Sequence, residues 1–175
     1  MNYIIFSCSL NPNSKSYILA KTTYEVLKEQ NHNVELIDLR NFELPFCNGT
    51  DIPKSHPNVR MLQGKIETAD GILIAVPIYN FDINSALKNL VELTGRVWSE
   101  KTLGFLCSAG GFASYMSVMS FANSMMLDFR CLIIPRIVYA TGSAFENGVV
   151  VDQTILERID QLVRRFTNVT IALKD

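Results

Sequence analysis

Apolar residues along the chain fall into short unbroken runs, separated by stretches that repeat every three to four positions. Tyr3-Ile4-Ile5-Phe6 is the first run and reads as a buried strand. Residues 16–30 then carry Ile18, Leu19, Thr22, Val26 and Leu27 at a helical period. Asn31-His32-Asn33 breaks that helix, and Val34 to Leu39 reads as a second strand. Pro45, Asn48-Gly49, Pro53 and Pro57 make residues 41–58 a long irregular connection, a length that is usually functional or flexible. A helix is predicted over 59–68, followed by the most apolar strand, Gly71-Ile72-Leu73-Ile74-Ala75-Val76. Pro77 is predicted to stop that strand and Ile78-Tyr79-Asn80-Phe81 to form a loop. A third helix over 84–97 places Leu87, Leu90, Val91 and Thr94 on one face. Residues 102–107 give a fourth strand, closed by Ser108-Ala109-Gly110-Gly111. Residues 112–127 read as a helix whose methionines serve as adaptable core packing. Residues 131–140 supply a fifth strand that Pro135 can interrupt. After a turn at Glu146-Asn147-Gly148, Asp152 caps a last helix to about Asn168, with Leu156, Ile159, Leu162, Val163 and Phe166 inward.

Near-continuous apolar strands alternating with helices imply a parallel sheet covered on both faces. Right-handed crossovers leave few arrangements for five strands. The expected fold is α/β: a flavodoxin-like three-layer sandwich, a five-stranded parallel sheet in the order 2-1-3-4-5 with helices on both faces. At 175 residues, with no internal repeat or linker, a single domain over 1–175 is expected. Net charge of −1, with no cluster of Lys and Arg, argues against nucleic acid as a partner. The four cysteines stand far apart, and His32 and His56 are not at ligand spacing to them, so no metal is expected. Cys8 and Cys107 fall at predicted strand ends, as small buried thiols or as redox-active ones. The chain opens on a strand without a basic flank, and no segment approaches the roughly 20 apolar residues of a membrane span. A cytoplasmic protein without membrane insertion is expected.

In a sheet of this order, ligands bind beyond the carboxyl ends of the strands, where the order reverses between the first and third. Three unusual loops fall at those ends. Ser9-Leu10-Asn11-Pro12-Asn13-Ser14-Lys15-Ser16 joins a strand to a helix with hydroxyl and amide side chains. The helix start adds free N–H groups and the positive end of its dipole, so the loop suits a phosphate. It contains no glycine and matches neither G-x-x-x-x-G-K-[ST] nor G-x-G-x-x-G. A plain Ser14 or Ser9 helix cap followed by solvated loop would look the same. Pro77, Tyr79 and Asn80 offer a fixed backbone, an aromatic face and an amide; equally, Pro77 could end a strand and Tyr79 be half-buried. Ser108, Gly110 and Gly111 are small enough for backbone to approach a flat ring, or to make a turn. A ligand joining a phosphate to a large planar heterocycle is flavin mononucleotide, FMN.

On these motifs the chain resembles the NADPH-dependent FMN reductase family of flavodoxin-like enzymes, which includes quinone, azo-dye and chromate reductases. The family's G-S-x-R-x-x-S-x-N loop corresponds to Cys8-Ser9-Leu10-Asn11-Pro12-Asn13-Ser14-Lys15-Ser16, and P-E-Y-N to Pro77-Ile78-Tyr79-Asn80. Leu87-Lys88-Asn89, Ser108-Ala109-Gly110-Gly111, Asp38-Leu39-Arg40 with Leu44-Pro45, and residues 144–148 with Asp152 extend the likeness nearly end to end. Asn11 stands where the family has arginine, which removes a bidentate charged clamp that Lys15 can partly replace as a point charge. Ile78 stands for glutamate, and Phe112-Ala113 is bulkier than many members. The resemblance implies FMN held by Ser9, Asn11, Ser14, Lys15 and Ser16 at the phosphate. Pro77, Ile78, Tyr79 and Asn80 would lie along the ring, and Ser108, Ala109, Gly110 and Gly111 on its pyrimidine side. It implies an oxidoreductase passing a hydride from NADPH or NADH to flavin and then to a quinone, azo compound or similar small-molecule acceptor. No catalytic side chain is required, because the flavin carries the chemistry. The alternative is a non-enzymatic flavodoxin-like electron carrier or redox-sensing flavin-binding protein. A homodimer or homotetramer is implied, with Phe81, Leu87, Leu90, Val91 and Trp98 as a candidate face, unless these residues simply pack on the sheet.

Overall fold

The computed structural model describes residues 1–174. In chain order the elements are β1 (Asn2–Ser7), α1 (Lys15–Glu29), β2 (Asn33–Asp38), α2 (Pro57–Thr68), β3 (Gly71–Tyr79), β4 (Asp82–Ile83) and α3 (Ser85–Thr94). They continue with β5 (Thr102–Ser108), α4 (Met119–Phe129), β6 (Leu132–Ile133), β7 (Val138–Ala140), β8 (Phe145–Glu146), β9 (Val149–Val150) and α5 (Gln153–Ala172). The main sheet runs β2-β1-β3-β5, with β6 and β7 both pairing parallel to β5. Pro135 and Arg136 divide what would be one fifth strand into these two pieces, so the expected 2-1-3-4-5 order holds with its last strand broken. The departures from a wholly parallel arrangement are the hairpin partner β4, antiparallel to β3, and the small β8–β9 ladder.

Successive side chains alternate between two cores. On one face Tyr3, Ile5, Leu73, Ala75 and Leu106 meet α1 and α5 through Leu19, Leu27, Ile155, Ile159, Leu162 and Phe166. On the other, Ile4, Phe6, Ile72, Ile74, Leu103 and Phe105 meet Leu62, Ile66, Leu87, Leu90, Trp98 and Phe121 from α2, α3, α4 and the turn after α3. Gly104 permits this closeness: a Cβ there would lie 2.6 Å from Leu73 Cδ2 and 3.0 Å from Leu162 Cδ1. Asp152 caps α5 as expected, its carboxylate accepting from the amides of Thr154 at 2.8 Å and Ile155 at 3.3 Å. None of the helices among the described residues is long and apolar enough to cross a membrane.

Three expectations need correction. Pro77 does not stop β3, which runs on to Tyr79. The Ala75 carbonyl receives the Cys8 amide, so residue 77, two positions on, turns its missing N–H to the same side, where β1 has already ended at Ser7. Proline removes no ladder bond there. Residues 112–118 are not the start of a long helix; they form short turns, and α4 begins only at Met119. Finally, Leu87, Leu90, Val91 and Trp98 do not form a free face: all four are buried in the second core, with Trp98 Nε1 donating to Thr94 Oγ1 at 2.7 Å. Phe81 alone of that group is exposed.

Candidate functional site

The chain leaves β1 at Ser7 and enters α1 at Lys15, and the intervening loop is held by its own side chains. Ser9 Oγ accepts the Asn11 amide at 3.3 Å, and Asn11 Oδ1 accepts the Asn13 amide at 2.8 Å. Ser14 is the N-cap of α1: its Oγ accepts from Tyr17 N–H at 3.0 Å and lies 3.0 Å from Ser16 Oγ. The cap satisfies Tyr17 and leaves the amides of Lys15 and Ser16 without a protein partner among the described residues. Ser9, Ser14 and Ser16 are buried, whereas Asn11, Asn13 and Lys15 are exposed. Arg40, just past β2, braces the loop from behind. Its Nε and Nη2 are bound to the Asp38 carboxylate, its Nη1 donates to Pro12 O at 2.9 Å, and its guanidinium lies 4.5 Å from the Tyr17 ring centroid.

The second loop is a two-residue hairpin turn between β3 and β4. Asn80 (φ 51°) and Phe81 (φ 62°) are both left-handed, the conformation of a type I′ turn, which asparagine tolerates and phenylalanine does not favour. The Ile78 side chain packs into the second core, so residue 78 offers the site only its peptide groups. Tyr79 is about half exposed. The third loop leaves β5 at Ser108 beside Pro77, its register partner, and Ala109 N–H bonds to Ala140 O at 3.0 Å. Tyr139 fixes its far end: the hydroxyl donates to Gly111 O at 2.5 Å and lies 2.7 Å from Ser114 Oγ.

These loops enclose a cavity of about 420 Å³ lined by Ser9, Asn11, Asn13, Ser14, Lys15, Ser16, Pro77, Ile78, Tyr79, Ser108, Ala109 and Gly110. Its volume is within the ~300–1,000 Å³ of small-molecule sites. Every residue expected at the site from sequence lines it except Asn80 and Gly111, which sit just outside. Lys15 is the one charged residue in that wall, and its Nζ lies 3.1 Å from where a Cβ on Gly142, past β7, would stand. A wall with a lone cation and a helix N-terminus favours an anion. A cavity of about 390 Å³ between α3 and α4 and an open groove of about 780 Å³ beside α5 receive no residue from the carboxyl end of a sheet strand. Cys8 and Cys107 are inert neighbours: both are fully buried, and burial pushes the Cys107 thiol up to about 12 and the Cys8 thiol higher still. Sequence reasoning missed Arg40, Tyr139 and Asn84, the last donating from Nδ2 to Cys8 O at 2.6 Å; their bonds to the loops span long separations in sequence. Only Arg40 left a signal, in the Asp38-Leu39-Arg40 triplet.

Known proteins share the family and the fold. The sequence model described as NADPH-dependent FMN reductase matches residues 1–146. A "NAD(P)H-dependent FAD/FMN reductase" from Geobacillus thermodenitrificans is 27% identical over 144 residues, covering 81% of this chain and 78% of that protein. An "NADPH:quinone oxidoreductase" from Arabidopsis thaliana is 30% identical over 155 residues, covering 81% and 76%. Among solved structures, the flavoenzyme NAD(P)H:(acceptor) oxidoreductase FerB from Paracoccus denitrificans shares the fold, with a TM-score of 0.77 at 18% identity over 95% of this chain and 97% of FerB. The chain belongs to the NADPH-dependent FMN reductase family.

Proposed function

We propose that this chain is an FMN-dependent NAD(P)H oxidoreductase whose flavin phosphate is held by the loop of residues 9–16, with the ring against residues 77–80 and 108–111. The observation that carries this reading is the meeting of three separate strand ends in one cavity with a single, positive charge in its wall. The residues fit the group. The unpartnered amides of Lys15 and Ser16, the Ser9, Ser14 and Ser16 hydroxyls and the Lys15 ammonium suit a phosphate. A Cβ on Gly110 or Gly111 would meet no protein atom within 4 Å, so the loop leaves open space in which a flat ligand can approach its backbone.

When bound, FMN would supply the redox chemistry, hydride transfer between NADPH or NADH and an acceptor. The protein's part is to bind and orient. The wall contains no carboxylate and no imidazole, so no acid–base pair is assigned to this chain. Backbone at Ile78 and Tyr79, set by the ladder with β4, presents fixed peptide dipoles, while half-exposed Tyr79 borders the opening. Quinones and azo compounds are the proposed acceptors, in line with the quinone oxidoreductase relative above and with a Bacillus relative named "NADPH azoreductase". The chain acts as a single domain over 1–175 and assembles as a homodimer or homotetramer. Support for assembly comes from exposed Phe81, Phe112, Tyr115 and Met116, in two loops whose following elements, β4 and α4, are joined by a Ser120 Oγ to Asp82 Oδ1 bond of 3.2 Å.

Purified protein should show the yellow flavin bands, or acquire them with added FMN, and should then oxidise NADPH or NADH with menadione in steady state. Flavin-loaded protein that oxidised neither nucleotide would instead be an electron carrier or redox sensor. Failure to bind FMN at all would remove both readings.

A further inference from the structure

Asn84 stands at the N-cap of α3, yet it does not cap the helix. In that position an asparagine oxygen ordinarily accepts a first-turn amide. Here the side chain is turned the other way, and Nδ2 donates to the carbonyl of Cys8, 76 residues earlier, at 2.6 Å. Asn84 is only 6% exposed, and its Oδ1 is buried without any partner. The side chain thus gives up a helix cap and leaves a buried acceptor unpaired, two local penalties, for one long-range bond.

That bond reaches an informative place. Cys8 is the hinge residue between β1 and the loop of residues 9–16: its N–H still pairs with Ala75 O, and the next residue, Ser9, begins the cavity wall. Asn84 itself follows the β3–β4 hairpin that carries Tyr79, Asn80 and Phe81. A single amide therefore joins the root of the first loop to the root of the second.

We infer that Asn84 is a positioning residue for the flavin phosphate: by fixing the Cys8 carbonyl it sets the direction in which the loop of residues 9–16 leaves the sheet. The inference rests on the phosphate placement proposed above. Asn84 does not line the cavity and touches no reacting atom, so it acts through the loop. A misdirected loop loses its hold on a phosphate, whereas a ring packed against residues 77–79 and 108–110 is held by other elements. The consequence is selective: removing the bond should weaken FMN and spare riboflavin, which carries the same ring without the phosphate.

Asn84→Ser separates this role from a structural one. Serine restores a good N-cap for α3 but is too short to reach Cys8, and Asn84→Ala removes both the cap option and the bond. FMN and riboflavin are titrated separately into flavin-free wild type and both variants, following quenching of flavin fluorescence, with thermal melting of each protein in parallel. The expected result for Asn84→Ser is a Kd for FMN raised about tenfold, a Kd for riboflavin changed less than about twofold, and a Tm equal to or above wild type. Asn84→Ala should give the same flavin pattern. Equal weakening of both flavins, or no change in either, overturns the inference while leaving the cofactor intact. Wild-type protein that quenched neither flavin would remove the phosphate placement itself, and this inference with it.

Discussion

Arg40→Ala is the most informative perturbation of the loop, because Arg40 does not line the cavity. Its guanidinium makes three hydrogen bonds to Asp38, the shortest from Nη2 to Oδ2 at 2.5 Å, and one to Pro12 O. The pair is well shielded, with side-chain exposures of 25% for Arg40 and 12% for Asp38, so it is not a freely solvated surface bridge. Hydrogen bonds to charged groups contribute about 1.5–3 kcal/mol net. The stacking over Tyr17 adds about 0.5–1 kcal/mol. Up to about 2 kcal/mol of side-chain entropy is recovered when the arginine is removed. The balance is a loss of about 2 kcal/mol, or about 4–8 °C in Tm for a chain of this size. Urea denaturation of wild type, Arg40→Ala, Asp38→Asn and the double variant completes a cycle in which the coupling should exceed about 1 kcal/mol. FMN titration of Arg40→Ala should show a Kd raised severalfold, since the Pro12 carbonyl loses its anchor. A variant that melted within a degree of wild type and bound FMN equally well would refute the bracing role.

Asn11→Arg should tighten FMN about fivefold: a charge-assisted bond to phosphate outweighs the lost Asn11 Oδ1 to Asn13 turn, and an unchanged Kd would count against the phosphate placement. In native protein at pH 8, a thiol reagent should modify half-buried Cys47 first. Burial raises Cys107 to about 12 and Cys131 to about 11, and mapping of early label to Cys8 or Cys107 by mass spectrometry would contradict this. Burial alone would raise the Asp70 carboxyl, but the Lys174 ammonium and the Asn2 amide hold it below its ordinary 3.8. A depressed carboxylate stabilises the fold above its unfolded pKa and loses that contribution as pH falls through its folded one. Asp70→Asn should therefore lower Tm at pH 7, by an amount that shrinks as pH falls below 3.8; a constant difference would exclude a charge effect.

The strand runs and the three loops at their carboxyl ends were readable because a parallel sheet buried on both faces leaves a plain apolar signature. Its topology then dictates which loops meet. Pro77 misled because the effect of a proline depends on whether a neighbouring strand continues beside it, and β1 ends at Ser7. Residues 112–118 misled because Tyr139, a residue of β7, ties down Gly111 and Ser114 in a compact turn, a bond invisible to local periodicity. Leu87, Leu90 and Val91 carried the right helical spacing, but spacing cannot say whether the apolar face meets this chain's own sheet or another molecule. Asn84 had no signal at all, since asparagine before a helix reads as a cap and only the folded chain shows which way it turned.

Ile78 bears on how such a site can change over evolutionary time. Its side chain is committed to the core, and whatever it presents to the cavity is backbone. Substitutions at this position among related chains would be filtered by packing against α3 and β4 rather than by what the pocket holds. The letter at position 78 can therefore vary among apolar residues of similar volume while the donor and acceptor groups facing the pocket stay in place. A site written partly in peptide groups is robust to mutation, and it hides from any search that looks only for conserved functional side chains.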